Sequence, residues 1–219
     1  MIRSALVLLA ALVALPAAAA EPVQLAQAGP QFREGVHYQV LKPAQPTSVN
    51  PGKVEVVEVF WYGCPHCYSL EPHVKRWLET GKPEAAEFVK LPASLNPSWQ
   101  PHARLYYAAE ALGVLDQAHD AIFREIQVDR RPLNTVEAMV EFLGRYGVPA
   151  EDATAALGSF SVEARVRKAD TMARRYRLTG VPAIVVNGKY VTGVQQAGGY
   201  DQLFELVNFL VAREAGAAQ

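Results

Sequence analysis

The chain contains two cysteines, and they stand three positions apart in Cys64-Pro65-His66-Cys67. A disulfide between residues so close encloses almost no loop. Because the stabilisation a disulfide confers grows with the loop it closes, this pair is placed for chemistry rather than for stability. A structural zinc site wants four ligands, and the sequence has neither a second cysteine pair nor a close histidine pair to complete one. Attachment of c-type haem needs histidine directly after the second cysteine, where this sequence has Tyr68. Reversible thiol–disulfide exchange needs only the two sulfurs and surroundings that separate their acidities. Two inert core thiols remain the bland alternative, and they would explain neither the intervening Pro-His nor the position of the pair between a strand and a helix.

That position sets the acidity. Val54 to Trp61 is a run rich in β-branched and aromatic residues, the pattern of a central strand buried on both faces. From Pro65 onward, Leu70, Val74, Trp77 and Leu78 recur at helical spacing until Thr80-Gly81-Lys82-Pro83 stops the pattern. Cys64 therefore lies where a strand ends and a helix begins, facing unpaired N–H groups and the positive end of the helix dipole. Pro65 fits the first helical turn without losing a hydrogen bond, and a polarised His66 imidazole adds positive potential beside Cys64. A thiolate stabilised in this way favours the dithiol over the disulfide. Each pKa unit of depression is worth about 1.4 kcal/mol, or roughly 30 mV in a two-electron couple, so the disulfide becomes the stronger oxidant. Cys64 is expected exposed at the helix tip, and Cys67 buried one turn further in.

The other elements must hold this strand and helix in place. Val36 to Leu41 reads as a short first strand, Phe88 to Leu91 as a strand ended by Pro92, and Val181 to Val186 as a strand joined through Asn187-Gly188 to Lys189 to Thr192. Between Ser98 and Arg177 strand signals vanish. Helical segments read near 101–112, 116–128, 135–146, 150–157 and 161–177, punctuated by Gly113, Pro132, Gly147-Val148-Pro149 and Gly158. A last amphipathic helix runs from Tyr200 to about Ala215.

At 219 residues, half of them apolar, the chain can build a sizeable core. Its first twenty residues depart from the rest. Arg3 precedes an apolar run from Ala5 to Leu15, and Ala17 to Ala20 offers small residues for cleavage, the pattern of a secretory signal peptide. Cleavage fits after Ala20 or Ala28. The run stops at Pro16, short of the roughly 20 apolar residues a membrane span needs, and no later segment qualifies, so the mature protein is expected to be soluble. Arg3 is the only charge in the leader, and its loss leaves 20 of 21 cations against 22 anions, a net charge of −2. Nothing here suggests nucleic-acid binding: Arg174, Arg175 and Arg177 form the one basic run, too short to dominate and well placed at a helix end.

Glu58 lies six positions before Cys64 in the central strand, where a carboxyl should be partly buried, raised in pKa and able to pass a proton to or from Cys67. Lys90 on the neighbouring strand is either its charge partner or a surface lysine at that strand's edge. Glu71, one turn beyond Cys67, reads as a solvated helix residue. His37, His73, His102 and His119 show no ligand or catalytic spacing and read as surface or packing residues.

Phe60-Trp61-Tyr62-Gly63-Cys64-Pro65-His66-Cys67-Tyr68 resembles the active-site segment of the DsbA family of thiol:disulfide interchange proteins. Val181-Pro182 is similar to that family's cis-proline loop, and the helical block to its inserted domain. The resemblance implies an α/β thioredoxin fold with an inserted all-helical subdomain. It divides the chain into a signal peptide (1–20), an N-terminal extension (21–35), a thioredoxin-like domain (36–97 and 178–215) and the insertion (98–177). It further implies a cis Val181–Pro182 peptide whose Val181 backbone pairs with substrate, and the proton-relay role for Glu58. The partners it implies are unfolded exported proteins with free cysteines, held partly by apolar surface beside the site, and a membrane reoxidase of the DsbB type. No metal or organic cofactor is required, and a periplasmic monomer is expected. An isomerase or reductase of the same fold is the nearest alternative activity, and a peptide-binding holdase with a vestigial thiol pair the more distant one.

Overall fold

The computed structural model describes residues 32–217; the leader and most of the N-terminal extension lie outside the described residues. The chain enters the sheet at β1 (Gln39–Val40), crosses its centre as β2 (Val54–Phe60), and passes through helix α1 (Pro65–Thr80) to β3 (Ala86–Pro92). A single 3-10 turn (Pro97–Trp99) leads into five helices, α2 (Gln100–Ala111), α3 (Leu115–Gln127), α4 (Val136–Gly144), α5 (Ala150–Leu157) and α6 (Phe160–Arg175). The chain then returns to the sheet as β4 (Ala183–Val186) and β5 (Tyr190–Thr192), and ends in α7 (Val194–Ala197) and α8 (Tyr200–Ala217).

The strand order is β1-β5-β4-β2-β3, with β2 and β3 parallel and the other neighbours antiparallel. All seven residues of β2 are buried, as its apolar run requires. Alternation along the strand then splits the core. Val54 and Val56 pack with Leu70, Val74 and Trp77 of α1 and with the apolar side of α8. Val57 and Val59 face Met172, Ala173 and Tyr176 beside α6. Phe60, at the strand's end, joins Tyr62, Cys64 and Cys67 to the core of the helical block. The strand thus delivers the cysteine segment to the junction between sheet and insertion.

Several expected boundaries move. The first strand is two residues long rather than Val36 to Leu41: Gly35 takes φ +78°, Val36 is half exposed in a turn, and the ladder to β5 begins only at Gln39. Lys189 belongs to the turn before β5, because Asn187 (φ +52°) and Gly188 (φ +61°) form the tight hairpin and Lys189 N–H closes it on the Val186 carbonyl. The N-terminal extension is not wholly separate from the domain, since Phe32 packs against Phe209 of α8. The 3-10 turn and α7, too short for any periodicity, carry no sequence signal of their own.

Candidate active site

Helix α1 starts on the cysteine pair. Cys64 is its N-cap (φ −92°, ψ 117°), and Pro65 opens the first turn. The Cys64 N–H is tied to the Trp61 carbonyl (2.9 Å), which turns the chain sharply between strand and helix. Gly63 is required inside that turn: a Cβ there would fall 2.2 Å from the Trp61 indole. That indole is itself held by stacking on Trp99 (centroids 4.4 Å apart, 7° between planes) and on His102.

The two sulfurs, both present as thiols, occupy unequal environments. The Cys67 thiol, donating toward Cys64, does most to lower the Cys64 pKa; partial burial opposes it, and the N–H groups of Cys67 and His66 and the His66 charge add to it, leaving Cys64 at about 6. The backbone donors act without forming a capping hydrogen bond to the side chain. The His66 charge is the smallest of these influences. Cys67 is wholly buried, and burial pushes its thiol far up, with the Cys64 sulfur and the Glu58 charge adding to the rise. One expectation is corrected: Cys64 is not exposed but 92 % covered, 8 % remaining accessible. Its Sγ lies 3.5 Å from the Val181 carbonyl, in the loop whose Val181–Pro182 peptide is cis. The long connection from α6 to β4 brings that loop over the helix tip, which sequence spacing alone does not reveal.

Beneath the pair lies a buried ionic network. Parallel register sets Glu58 directly beside Lys90. Lys90 Nζ donates to Glu58 Oε2 (2.6 Å) and to Glu71 Oε1 (2.7 Å). Among the described residues Glu58 Oε1 meets no donor. Burial, with the Glu71 charge adding to it, raises the Glu58 pKa to about 7 against the pull of Lys90. Burial also opposes ionisation of Glu71, yet the hydrogen bond from His119 and the charge of Lys90 outweigh it and hold that carboxyl well below its usual range. Lys90 loses some of its basicity to burial and gains more back from the two carboxylates, so it stays an ammonium.

Glu71 is therefore no solvated helix residue; it is 5 % exposed. Four residues after Cys67 on one helix face, it had a periodic signal that a carboxyl's usual preference for water obscured. His119 is likewise more than a surface or packing residue. Its Nδ1 lies 2.7 Å from the Tyr62 hydroxyl and its Nε2 3.2 Å from Glu71 Oε1. Contacts 57 and 48 residues apart in the chain leave no trace in local spacing. Of the other histidines, His37 accepts the Arg33 N–H, His73 stacks on Tyr200, and His102 bonds the Pro132 carbonyl. Among the described residues no cluster of three or more metal-ligating side chains occurs, and no helix is long and apolar enough to cross a membrane.

A dithiol split between one acidic and one inert sulfur, at a helix tip under a cis-proline loop on this five-stranded sheet, defines the thiol:disulfide oxidoreductases of the thioredoxin fold. Comparison with known proteins narrows the class. The family profile described as DSBA-like thioredoxin domain matches residues 83–207. The thiol:disulfide interchange protein DsbA of Pseudomonas aeruginosa is 39% identical over 188 residues, covering 86% of this chain and 88% of the relative. That of Azotobacter vinelandii is 40% identical over 200 residues, covering 85% and 92%. The crystal structure of Pseudomonas aeruginosa DsbA superposes with a TM-score of 0.80 at 39% identity over 85% of this chain and 96% of that one. An oxidoreductase DsbA from Xylella fastidiosa gives a TM-score of 0.76 at 31% identity, over 82% and 96%. The chain belongs to the DsbA family of thiol:disulfide interchange proteins and is a thiol:disulfide oxidoreductase.

Proposed function

We propose that the protein works in the oxidising direction, introducing disulfides into exported proteins in the periplasm after loss of its leader. The observation that carries this reading is the asymmetry of the pair, Cys64 at about 6 and Cys67 pushed far up. In the oxidised enzyme, a substrate thiolate attacks the Cys64 sulfur and the Cys64–Cys67 bond breaks. The electron pair leaves on Cys67, which takes up a proton. A second substrate thiolate then attacks the substrate sulfur of the mixed disulfide and releases Cys64 as a stable thiolate. Two electrons have passed from substrate to enzyme. Stabilising the departing Cys64 anion favours that release and makes the couple oxidising.

The remaining residues take supporting roles. Glu58, with a pKa near neutrality, supplies the proton that Cys67 takes up, and Lys90 holds the carboxylate in place afterwards. Pro65 sets the helix start, and His66 adds potential at Cys64. The Val181 backbone and Pro182 offer the incoming substrate strand a place beside the sulfur. Helices α2 to α6, the proposed subdomain of 98–177, pack their core against the cysteine segment. The reduced enzyme, acting as a monomer, returns its electrons to a membrane reoxidase of the DsbB type.

Thiolate absorbance of the reduced protein titrated from pH 3 to 9, followed by equilibration with glutathione redox buffers, tests the direction. The expected result is a Cys64 midpoint near 6 and a potential well above that of the roughly −270 mV reductants of the thioredoxin type. A midpoint near an ordinary thiol, or a potential as reducing as those, reverses the assignment to a reductase.

A further inference from the structure

His119 comes from α3 of the insertion, yet it reaches the ionic network under the cysteines. Glu71 Oε1 already accepts from Lys90, and an ionised carboxylate only accepts, so the His119 nitrogen 3.2 Å from it must carry the hydrogen. That fixes Nε2–H as the donor and leaves Nδ1 to accept the hydrogen of the Tyr62 hydroxyl at 2.7 Å. The hydroxyl has no exit to water, because Tyr62 is fully buried. A protonated imidazole would donate a second N–H to that oxygen and take away the acceptor of the hydroxyl's own hydrogen, inside a shell of Phe60, Tyr106 and Phe123 rings. The ring is neutral on these grounds, and burial lowers its basicity in the same sense.

The charged and titratable groups around His119 are Glu71 from α1, Lys90 from β3, Tyr62 from the turn before α1, Tyr106 from α2 and, on its own helix, Asp120, which pairs outward with Lys75. The result is an unequal division of donors. Among the described residues Glu71 Oε1 receives two, from Lys90 and His119, whereas Glu58 receives one on Oε2 and none on Oε1. Two buried carboxyls sharing one ammonium cannot both ionise cheaply, and the one with fewer donors keeps the proton. The same helix also grips the active-site turn, since Gln127 Nε2 donates to the Tyr62 carbonyl at 2.7 Å.

We propose that His119 is a positioning residue for exchange: its Nε2–H, held in that tautomer by Tyr62, keeps Glu71 ionised against Lys90 and so leaves the transferable proton on Glu58. The inference rests on the proposed relay role of Glu58 for its functional meaning, but not for its test. Carboxyl carbon NMR of glutamate-labelled reduced protein, titrated from pH 2 to 9, reads both carboxyls, assigned through Glu58→Gln and Glu71→Gln. In the unsubstituted protein Glu58 should titrate near neutrality and Glu71 far below it. In His119→Leu the Glu71 midpoint should rise by at least one unit while that of Glu58 falls. His119→Gln, whose amide can donate to Glu71 and accept from Tyr62, should restore both. An unmoved Glu71 in His119→Leu, or equal shifts in the Leu and Gln variants, overturns the proposal. Should the Leu variant not fold, imidazole nitrogen shifts of the unsubstituted protein decide: a neutral Nε2–H ring at pH 7 supports it, and an Nδ1–H or doubly protonated ring refutes it. The pH profile of insulin disulfide reduction completes the set. A profile in Glu58→Gln identical to the parent's sinks the relay, whatever the carboxyl titrations show.

Discussion

A carboxyl beside an ammonium usually ionises readily, and Glu58 departs from that because it is wholly buried and shares Lys90 with Glu71. Its folded pKa of about 7 lies above the ordinary value of 4.5, so between those pH values the folded state holds a proton that the unfolded chain has lost. Stability must then fall as pH rises through this window. Glu71 acts oppositely: its pKa is depressed, so its contribution is present above 4.5 and is lost as pH falls toward acid. Urea denaturation of the parent and Glu58→Gln should therefore diverge between pH 4.5 and 7, the parent losing on the order of 1–3 kcal/mol relative to the variant, at about 1.4 kcal/mol per unit. Parallel curves would show that Glu58 titrates normally. In exchange kinetics, Glu58→Gln should slow the proton-linked step by on the order of tenfold or more and flatten its decline above pH 7. Glu58 and Lys90 were legible in the sequence because each interrupts a strand pattern and neighbouring strands bring such positions together. Glu71 was not, since a glutamate on a helix says nothing of what lies across from it.

At the scale of elements, local chemistry decided most boundaries. The cysteine helix runs from Pro65 to Thr80 as its periodicity and the Gly81 that follows predict, even with Pro72 inside it. Asn187-Gly188 forms its hairpin because both residues tolerate positive φ. This turn also supports the loop before β2: Gln45 N–H donates to the Gly188 carbonyl at 2.7 Å, and a Cβ on Gly188 would fall 2.1 Å from the Gln45 carbonyl oxygen. Gly188→Ala should thus cost more than the roughly 1 kcal/mol of a left-handed conformation alone, about 2–3 kcal/mol in all, measurable as a lowered urea midpoint. A change below 0.5 kcal/mol, the size of an ordinary surface substitution, would mean the Gln45 segment moves aside freely. The first strand is shorter than its residues suggest because β5 offers a partner only from Gln39 onward.

For the molecule as a whole, the acidic Cys64 ties redox state to stability. Its folded pKa of about 6 lies below the value of 9 for a free thiol, so from pH 6 to 9 the unfolded chain binds the proton that the folded one has released. The reduced protein should gain stability over this range relative to reduced Cys64→Ser, and lose the advantage as pH falls through 6. Urea unfolding of both at pH 5, 7 and 8.5 checks this; a constant difference would show that the fold does not favour the thiolate.

The order of elements, the cysteine helix, the hairpin and the pair that does the chemistry were written in the sequence, because each depends on residues close together in the chain. The covering of Cys64 by Val181, the shared Lys90, and the recruitment of His119 and Tyr62 were decided only by the tertiary structure. Burial and charge depend on what stands opposite, and here those groups come from the insertion and from the far strands, up to 117 residues away. The motif tells which atoms react; the packing around it sets how acidic each one is.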